Sequence, residues 1–166
     1  MSLESARLGL PLLAAGQAQK ELTHNEALAL VDAVVAAAVE DIDVNTPPSS
    51  PIPGQCWLLG SAPAGAWSDH AEALACWTGG GWRFLPPVEG LTVWIKDQQL
   101  WAVREGSAWV IGRVRAAELK IAGLQVVGAQ EPAVAAPTGG AVVDVEARSA
   151  IDAILSRLVA HGLIAA

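Results

Sequence analysis

Every tryptophan of this chain lies between residues 57 and 109, and most stand beside a turn. Seven tryptophans accompany one phenylalanine and no tyrosine. Gly65-Ala66-Trp67, Gly81-Trp82 and Ser107-Ala108-Trp109 each set an indole just past a glycine or small residue. Trp57, Trp77, Trp94 and Trp101 fall in the apolar runs between. Short apolar runs bounded by turn residues read as strands, here 55–59, 73–78, 82–85, 91–96, 99–104 and 108–114. Turns are supplied by Ala62-Pro63-Ala64-Gly65, Gly79-Gly80-Gly81, Pro86-Pro87, Asp97-Gln98 and Glu105-Gly106. Strands so short and so close in sequence predict an antiparallel meander or small barrel. Its core and open edges would be covered by indoles.

Helices flank this β-module, so the predicted class is α+β. Thr23 followed by Glu26 has the spacing of a capping box and opens the first helix. Leu28, Val31, Val35 and Val39 form one apolar stripe, with Leu30 and Val34 adding a second, and the helix is expected to end near Asp41. A helix apolar on two sides is buried on two sides, against the β-module and against a second chain. Ahead of it, residues 7–13 read as an extended arm, because Gly9 and Pro11 oppose helix, and residues 14–20 as a polar link. Pro47, Pro48, Pro51 and Pro53 make residues 45–54 a stiff, polyproline-like connector.

Beyond the module, residues 119–127 offer a strand pair or an arm, and 128–140 an extended linker. Asp144 is a plausible N-cap for a last helix, with Gly162 as its left-handed C′ residue and Leu163 placed to fold back on Leu158. Ala147, Ile151, Ile154 and Leu158 run at heptad spacing. So short a helix is marginal alone and must dock. Self-association is the favoured partner, packing on its own β-module the alternative. The organisation is therefore an anchoring or oligomerising arm and helix (1–44), a connector (45–54), the tryptophan module (55–115), an extended arm (116–143) and an oligomerising helix (144–166).

Charged residues make up 16% of the chain, against roughly 25% in ordinary soluble domains. Either apolar surface is buried against other chains, or alanine inflates the apolar count. A net charge of −7 argues against nucleic acid and against an anionic membrane surface. The longest apolar stretch, 27–39, is interrupted by Asp32 and too short to span a bilayer. The first residues lack a basic n-region, so synthesis in the cytoplasm is expected. Cys56 and Cys76 lack zinc spacing. They can join only if their strands are neighbours, and a cytoplasmically folded chain favours a reduced pair.

No catalytic, metal or cofactor site is readable. Ser68-Asp69-His70 holds triad residue types, but consecutive side chains point apart. His24, Asn25 and Gln19 read as interface hydrogen-bonders. Asp41, Asp43 and Asn45 begin like a calcium loop, which Thr46 and Ile52 then break. A polysaccharide-degrading enzyme would need two carboxylates in a cleft, and Asp69, Glu72, Glu89, Asp97 and Glu105 form no motif. Indoles at loop edges do stack on sugar rings. On that chemistry Trp67, Asp69, His70, Trp82 (with Arg83) and Trp109 are the glycan-contact candidates, with Trp67 and Trp109 expected to be the most exposed and a core role as the alternative. The interface candidates are Leu28, Val31, Val35, Val39, Ile151, Ile154 and Leu158.

Arg7-Leu8-Gly9-Leu10-Pro11, Gly16-Gln17-Ala18-Gln19-Lys20 and Asn25-Glu26-Ala27-Leu28 come first in one ordered series. Pro47-Pro48, Pro53-Gly54, Gly65-Ala66-Trp67, Gly80-Gly81-Trp82-Arg83-Phe84 and Pro86 follow. Over about residues 7–110 this series resembles an uncharacterised domain family of alphaproteobacterial prophages and gene transfer agents. Glu21 stands where that family usually has a second basic or imidazole residue. The tail, Gly123-Leu124-Gln125-Val126-Val127-Gly128 and Gly139-Gly140 before a helix ending His161-Gly162-Leu163-Ile164, is similar to the ends of phage fibre and head-spike proteins. The resemblance implies a virion component: a head-spike or tail-fibre base in a released phage-like particle. Such a part would be a homo-oligomer of five copies at a capsid vertex or three in a fibre. Its partners would be capsid, spike or fibre proteins. In gene transfer agents such spikes help adhesion to the recipient's capsular polysaccharide. No catalytic residue comes with the resemblance.

Overall fold

Parity along the strands decides the architecture. The computed structural model describes residues 3–16 and 20–166. Helix α1 (Lys20–Val35) leads into a two-residue strand β1 (Ala38–Val39). Strands β2 (Cys56–Leu58), β3 (Leu74–Thr78) and β4 (Gly81–Leu85) form an antiparallel three-stranded meander. β5 (Thr92–Ile95), β6 (Leu100–Glu105) and β7 (Ala108–Ile111) form a second meander, to which β1 adds in parallel beside β5. Neither sheet closes into a barrel. These elements belong to a first unit that ends at Arg113, and a second unit begins at Val114.

In the three-stranded sheet, Cys56 lies opposite Cys76, and Leu74 lies between Leu58 on one side and Leu85 on the other. These residues share one core with Val39, Val93, Ile95 and Ala102 of the four-stranded sheet and with Ala33 and Ala37. The alternate residues Trp57, Ala75, Phe84, Trp77 and Trp82 point to the other face and build a second core around Trp67. A three-stranded sheet thus buries both faces, which explains why β2 is apolar at every position.

Cys56 and Cys76 are joined as a disulfide, their Cα atoms 4.1 Å apart. The sequence favoured reduced thiols. Antiparallel pairing of β2 with β3 sets the two residues directly opposite one another.

α1 differs from its predicted span of 23 to about 41. Thr23 lies inside the helix, and Glu26 reaches Arg83 instead of closing a capping box. At the other end, the Arg7 guanidinium donates to the carbonyls of Ala33, at 2.9 Å, and Ala36, satisfying helix-end acceptors. The chain then turns into the sheet, where Trp94 N donates to Ala37 O at 2.8 Å and Lys96 N to Val39 O at 3.0 Å. Val39 is therefore a fully buried core residue of β1 and not part of a helical interface.

The arm is folded rather than extended. Ser5 N donates to Leu10 O and Leu12 N to Leu3 O. Buried Asp32 accepts from Ser5 Oγ at 2.8 Å, Arg7 N at 3.0 Å and Leu8 N at 2.7 Å. Asn25 Oδ1 accepts from Leu13 N, and Asn25 Nδ2 donates to Leu13 O. The arm crosses Gly54 so closely that a Cβ there would lie 3.3 Å from Ala6 O, and Gly54 has a φ of +95°. The proline-rich stretch also lies against the module: Ala64 N donates to Asn45 O, and Gly54 N to Trp77 O.

The second unit has two regular pieces. β8 (Leu119–Ile121) and β9 (Leu124–Val127) form a hairpin. Helix α2 (Val145–Ala160) is capped by Asp144, whose carboxylate accepts from Ala147 N at 2.8 Å. Its end is a Schellman motif: Leu163 N donates to Leu158 O, Gly162 N to Val159 O, and Gly162 has a φ of +70°. Ile164 then pairs with Glu131, and Ala165 N donates to Glu131 O at 2.7 Å.

Candidate functional site

The five glycan-contact candidates do not share a surface. Trp67 has no exposed area at all. The glycine before it opens a short 3-10 turn, Gly65–Trp67, which folds the indole back against the sheet rather than out to solvent. Its ring centroid lies 6.2 Å from that of Trp57 and 5.1 Å from that of Trp82, and Trp82 also meets Trp57 and Trp77 edge-on. The expected exposure of Trp67 is thus reversed: the indole is the fully buried member of a four-tryptophan core. Asp69 is exposed, and His70 stacks flat on Phe84 with centroids 3.7 Å apart.

Trp109 lies in the other sheet and is half-buried, not open. Its Nε1 donates to Glu72 O at 3.1 Å, and the guanidinium of Arg104 lies 5.9 Å over the ring. Arg104 is itself buried and donates to Glu72 Oε2 at 2.7 Å, while its Nε and Nη1 have no partner among the described residues. Glu72 thus fixes an arginine and an indole together. Of the other acids singled out for a cleft, Glu89 accepts from Gly106 N and Glu105 pairs with Arg113.

The exposed indole is Trp101, and its neighbour Trp94 is half-buried, as Trp109 is. Trp94 and Trp101 sit directly opposite one another on β5 and β6, with centroids 5.1 Å apart, and Trp101 is 51% exposed. Val93, Ile95 and Ala102 point inward, so the opposite parity of Trp94 and Trp101 turns them outward. That parity was readable from Thr92 and Lys96, which flank Trp94 at two-residue spacing. Lys96 pairs with Glu40 at 2.5 Å beside this platform.

A cleft of about 630 Å³ opens between the arm, α1 and the β3–β4 hairpin, lined by Ser5, Arg7, Asn25, Thr78 and Arg83 among others. Glu26 and Arg83 form an ion pair at its edge. The hydrogen bond from Arg83 holds the Glu26 carboxyl below its usual range, outweighing burial, and the same bond raises the arginine. Among the described residues, no group of three or more His, Cys, Asp or Glu could hold a metal ion. No helix among them is long and apolar enough to cross a membrane.

The interface candidates divide. On α1, Asp32 and Ala33 are buried and Asn25 is half-buried, because side-chain bonds to the arm fix that face inward. Leu28 is consequently half-buried, and Val31 and Val35 are exposed. His24 is exposed, whereas Asn25 serves its own chain. Gln19, with Gln17 and Ala18 of the same motif, lies outside the described residues.

In the second unit, Ile151 is 43% and Ile154 57% exposed, Leu158 is half-buried, and α2 buries no residue fully. The β8–β9 hairpin is amphipathic. Leu119, Val127, Ile121 and Leu124 share one face and all are exposed. Within this unit only Ile164 is buried.

No curated protein matches this chain. Residues 24–110, from α1 into β7, match the family described as "Protein of unknown function (DUF2793)", and the chain belongs to that family.

Proposed function

We propose that this chain is a structural subunit of a phage-like particle, a homo-oligomeric part at the base of a head spike or tail fibre that supports attachment to a recipient cell. One observation carries the reading: the second unit leaves its apolar side chains uncovered. An amphipathic two-stranded hairpin and a sixteen-residue helix do not hold together in water without burying an apolar face. Exposed apolar area on this scale marks an interaction surface. The resemblance of the ordered motifs to prophage and gene-transfer-agent domains, and of the tail to phage fibre ends, supports assigning that surface to a virion. An epitope-tagged chain expressed in a producing host tests this. It should co-sediment with purified particles, and its confinement to the soluble fraction would refute the assignment.

A second reading is favoured by the outward pair Trp94 and Trp101. The exposed indole of Trp101, with Trp94 edge-on beside it, offers an apolar ring face that suits stacking on a pyranose ring, and the module would then contact capsular polysaccharide itself. Retention on immobilised capsule, lost on Trp101→Ala with the fold intact, is the result this reading requires. Equal retention of both proteins, or of neither, sinks it.

A further inference from the structure

We infer that the N-terminal arm and the Cys56–Cys76 disulfide form one redox-sensitive latch: the seated arm shields the bond from thiols, and the bond keeps the arm's seat in place. The inference goes beyond the particle assignment and does not depend on it. Both cysteines are buried, Cys56 with no exposed area and Cys76 with 3%. Cys76 lines the same cleft as Ser5, Arg7 and Gly54. Arg7 Nη1 lies 3.8 Å from Cys56 Sγ while it donates to Ala33 O at 2.9 Å. Gly54, two residues before Cys56, carries the arm: a side-chain carbon there would lie 3.1 Å from Arg7 Cγ and 3.3 Å from Ala6 O. Gly54 N also donates at 2.8 Å to the carbonyl of Trp77, the residue after Cys76. The arm thus rests on chain segments adjoining both sulfurs.

A dithiol is larger than water, so it reaches neither sulfur until the arm lifts. Lifting breaks the bonds that Asp32 accepts from Ser5 Oγ, Arg7 N and Leu8 N, and it leaves both cores intact. A thiolate of the dithiol then attacks one cysteine sulfur, forms a mixed disulfide and expels the other cysteine as a thiolate. The second thiol closes on the first and expels the remaining cysteine. Two electrons and two protons pass from the dithiol, which ends as a cyclic disulfide. In the other direction, reduction separates the sulfurs to nonbonded contact in a site without spare volume, and Arg7 lies in the way. It also unties the first residue of β2, beside the arm's seat. An arm that binds the oxidised chain more tightly stabilises the disulfide by the same factor. A thiol-rich compartment would therefore loosen the arm, and an oxidising one would seat it.

The test treats the full chain, below its urea transition, with dithiothreitol and follows free thiols by alkylation and mass. Asp32→Ala removes three hydrogen bonds, each worth a factor of about five, so reduction should run about a hundredfold faster. Ser5→Ala removes one of the three and should speed it about fivefold. Trp67→Phe weakens the other core but not the arm, so its reduction rate should match the wild type. In a disulfide-free protease, the reduced wild-type chain should be cut within residues 3–13 about tenfold faster than the oxidised chain, with an unchanged far-ultraviolet spectrum. Reduction that Asp32→Ala and Ser5→Ala leave unchanged overturns the inference. So does acceleration by Trp67→Phe, which would mean that the bond is reached by unfolding of the whole unit. An arm equally protected in the reduced chain, or a reduced chain that loses its sheet spectrum, overturns the coupling.

Discussion

Trp67→Ala should be among the most damaging single substitutions in the first unit. A fully buried indole removes about 250 Å² from water. At about 25 cal/mol per Å² that is roughly 6 kcal/mol. Compactness of the unfolded chain lowers it by up to about 40%. Ring contacts with Trp57, tilted, and with Trp82, edge-on, add about 0.5–1.5 kcal/mol each. One term opposes them: Trp67 Nε1 is buried without a hydrogen-bond partner among the described residues, a cost of about 1–3 kcal/mol that the substitution relieves. The net loss is about 3–5 kcal/mol, in line with other buried tryptophans. Trp67→Phe keeps a ring and removes the orphan donor, so it should cost about 1–2 kcal/mol. Trp101→Ala, at a half-exposed site, should cost about 1–2 kcal/mol. Urea unfolding followed by far-ultraviolet circular dichroism measures all three. If Trp67→Ala and Trp101→Ala were equally mild, Trp67 would not be a buried core residue, and the packing argument would fail.

Asp32→Ala leaves Ser5 Oγ and the Arg7 and Leu8 amides without their acceptor, so it should cost about 3 kcal/mol and expose residues 8–16 to limited proteolysis. An arm that stays protected would show that other contacts hold it. Reducing the disulfide, whose cysteines are 20 residues apart, should destabilise the first unit by about 3 kcal/mol, measured as a shift in urea midpoint with and without reductant. Glu26→Gln removes a solvent-screened pair and should cost under about 1 kcal/mol at neutral pH. Because the folded carboxyl titrates below its ordinary value, the pair contributes fully above that value. The wild-type advantage should therefore vanish as pH falls through the lower, folded value. An advantage that grows in acid would reverse the assigned sign.

The six strands of the first unit's two meanders were legible because turn residues and two-residue alternation are local signals. β1 was not: two residues in an alanine-rich run become a strand only because Trp94 and Lys96 bond to them from far along the chain. Asp32 reads locally as a flaw in an apolar helix, yet it is the acceptor that holds the arm, and that choice turns Val31 and Val35 outward. Trp67 misled for a similar reason, since a preceding glycine marks a turn but not the face to which the turn delivers its side chain. The outward parity of Trp94 and Trp101 was available from Thr92 and Lys96. The cap and terminal glycine of α2 could be read directly, because a helix end is specified by its own few residues.

The pairing of Ile164 with Glu131 has a mechanical meaning. It closes everything between those residues, α2 included, into a side loop of the polypeptide. Tension applied between the first unit and the final residues would pass across the hydrogen bonds joining residues 130 and 131 to residues 163–165, which meet it in shear. Slack stored in the loop would be released only after that clasp parts, so the tail would behave as a fuse with hidden length.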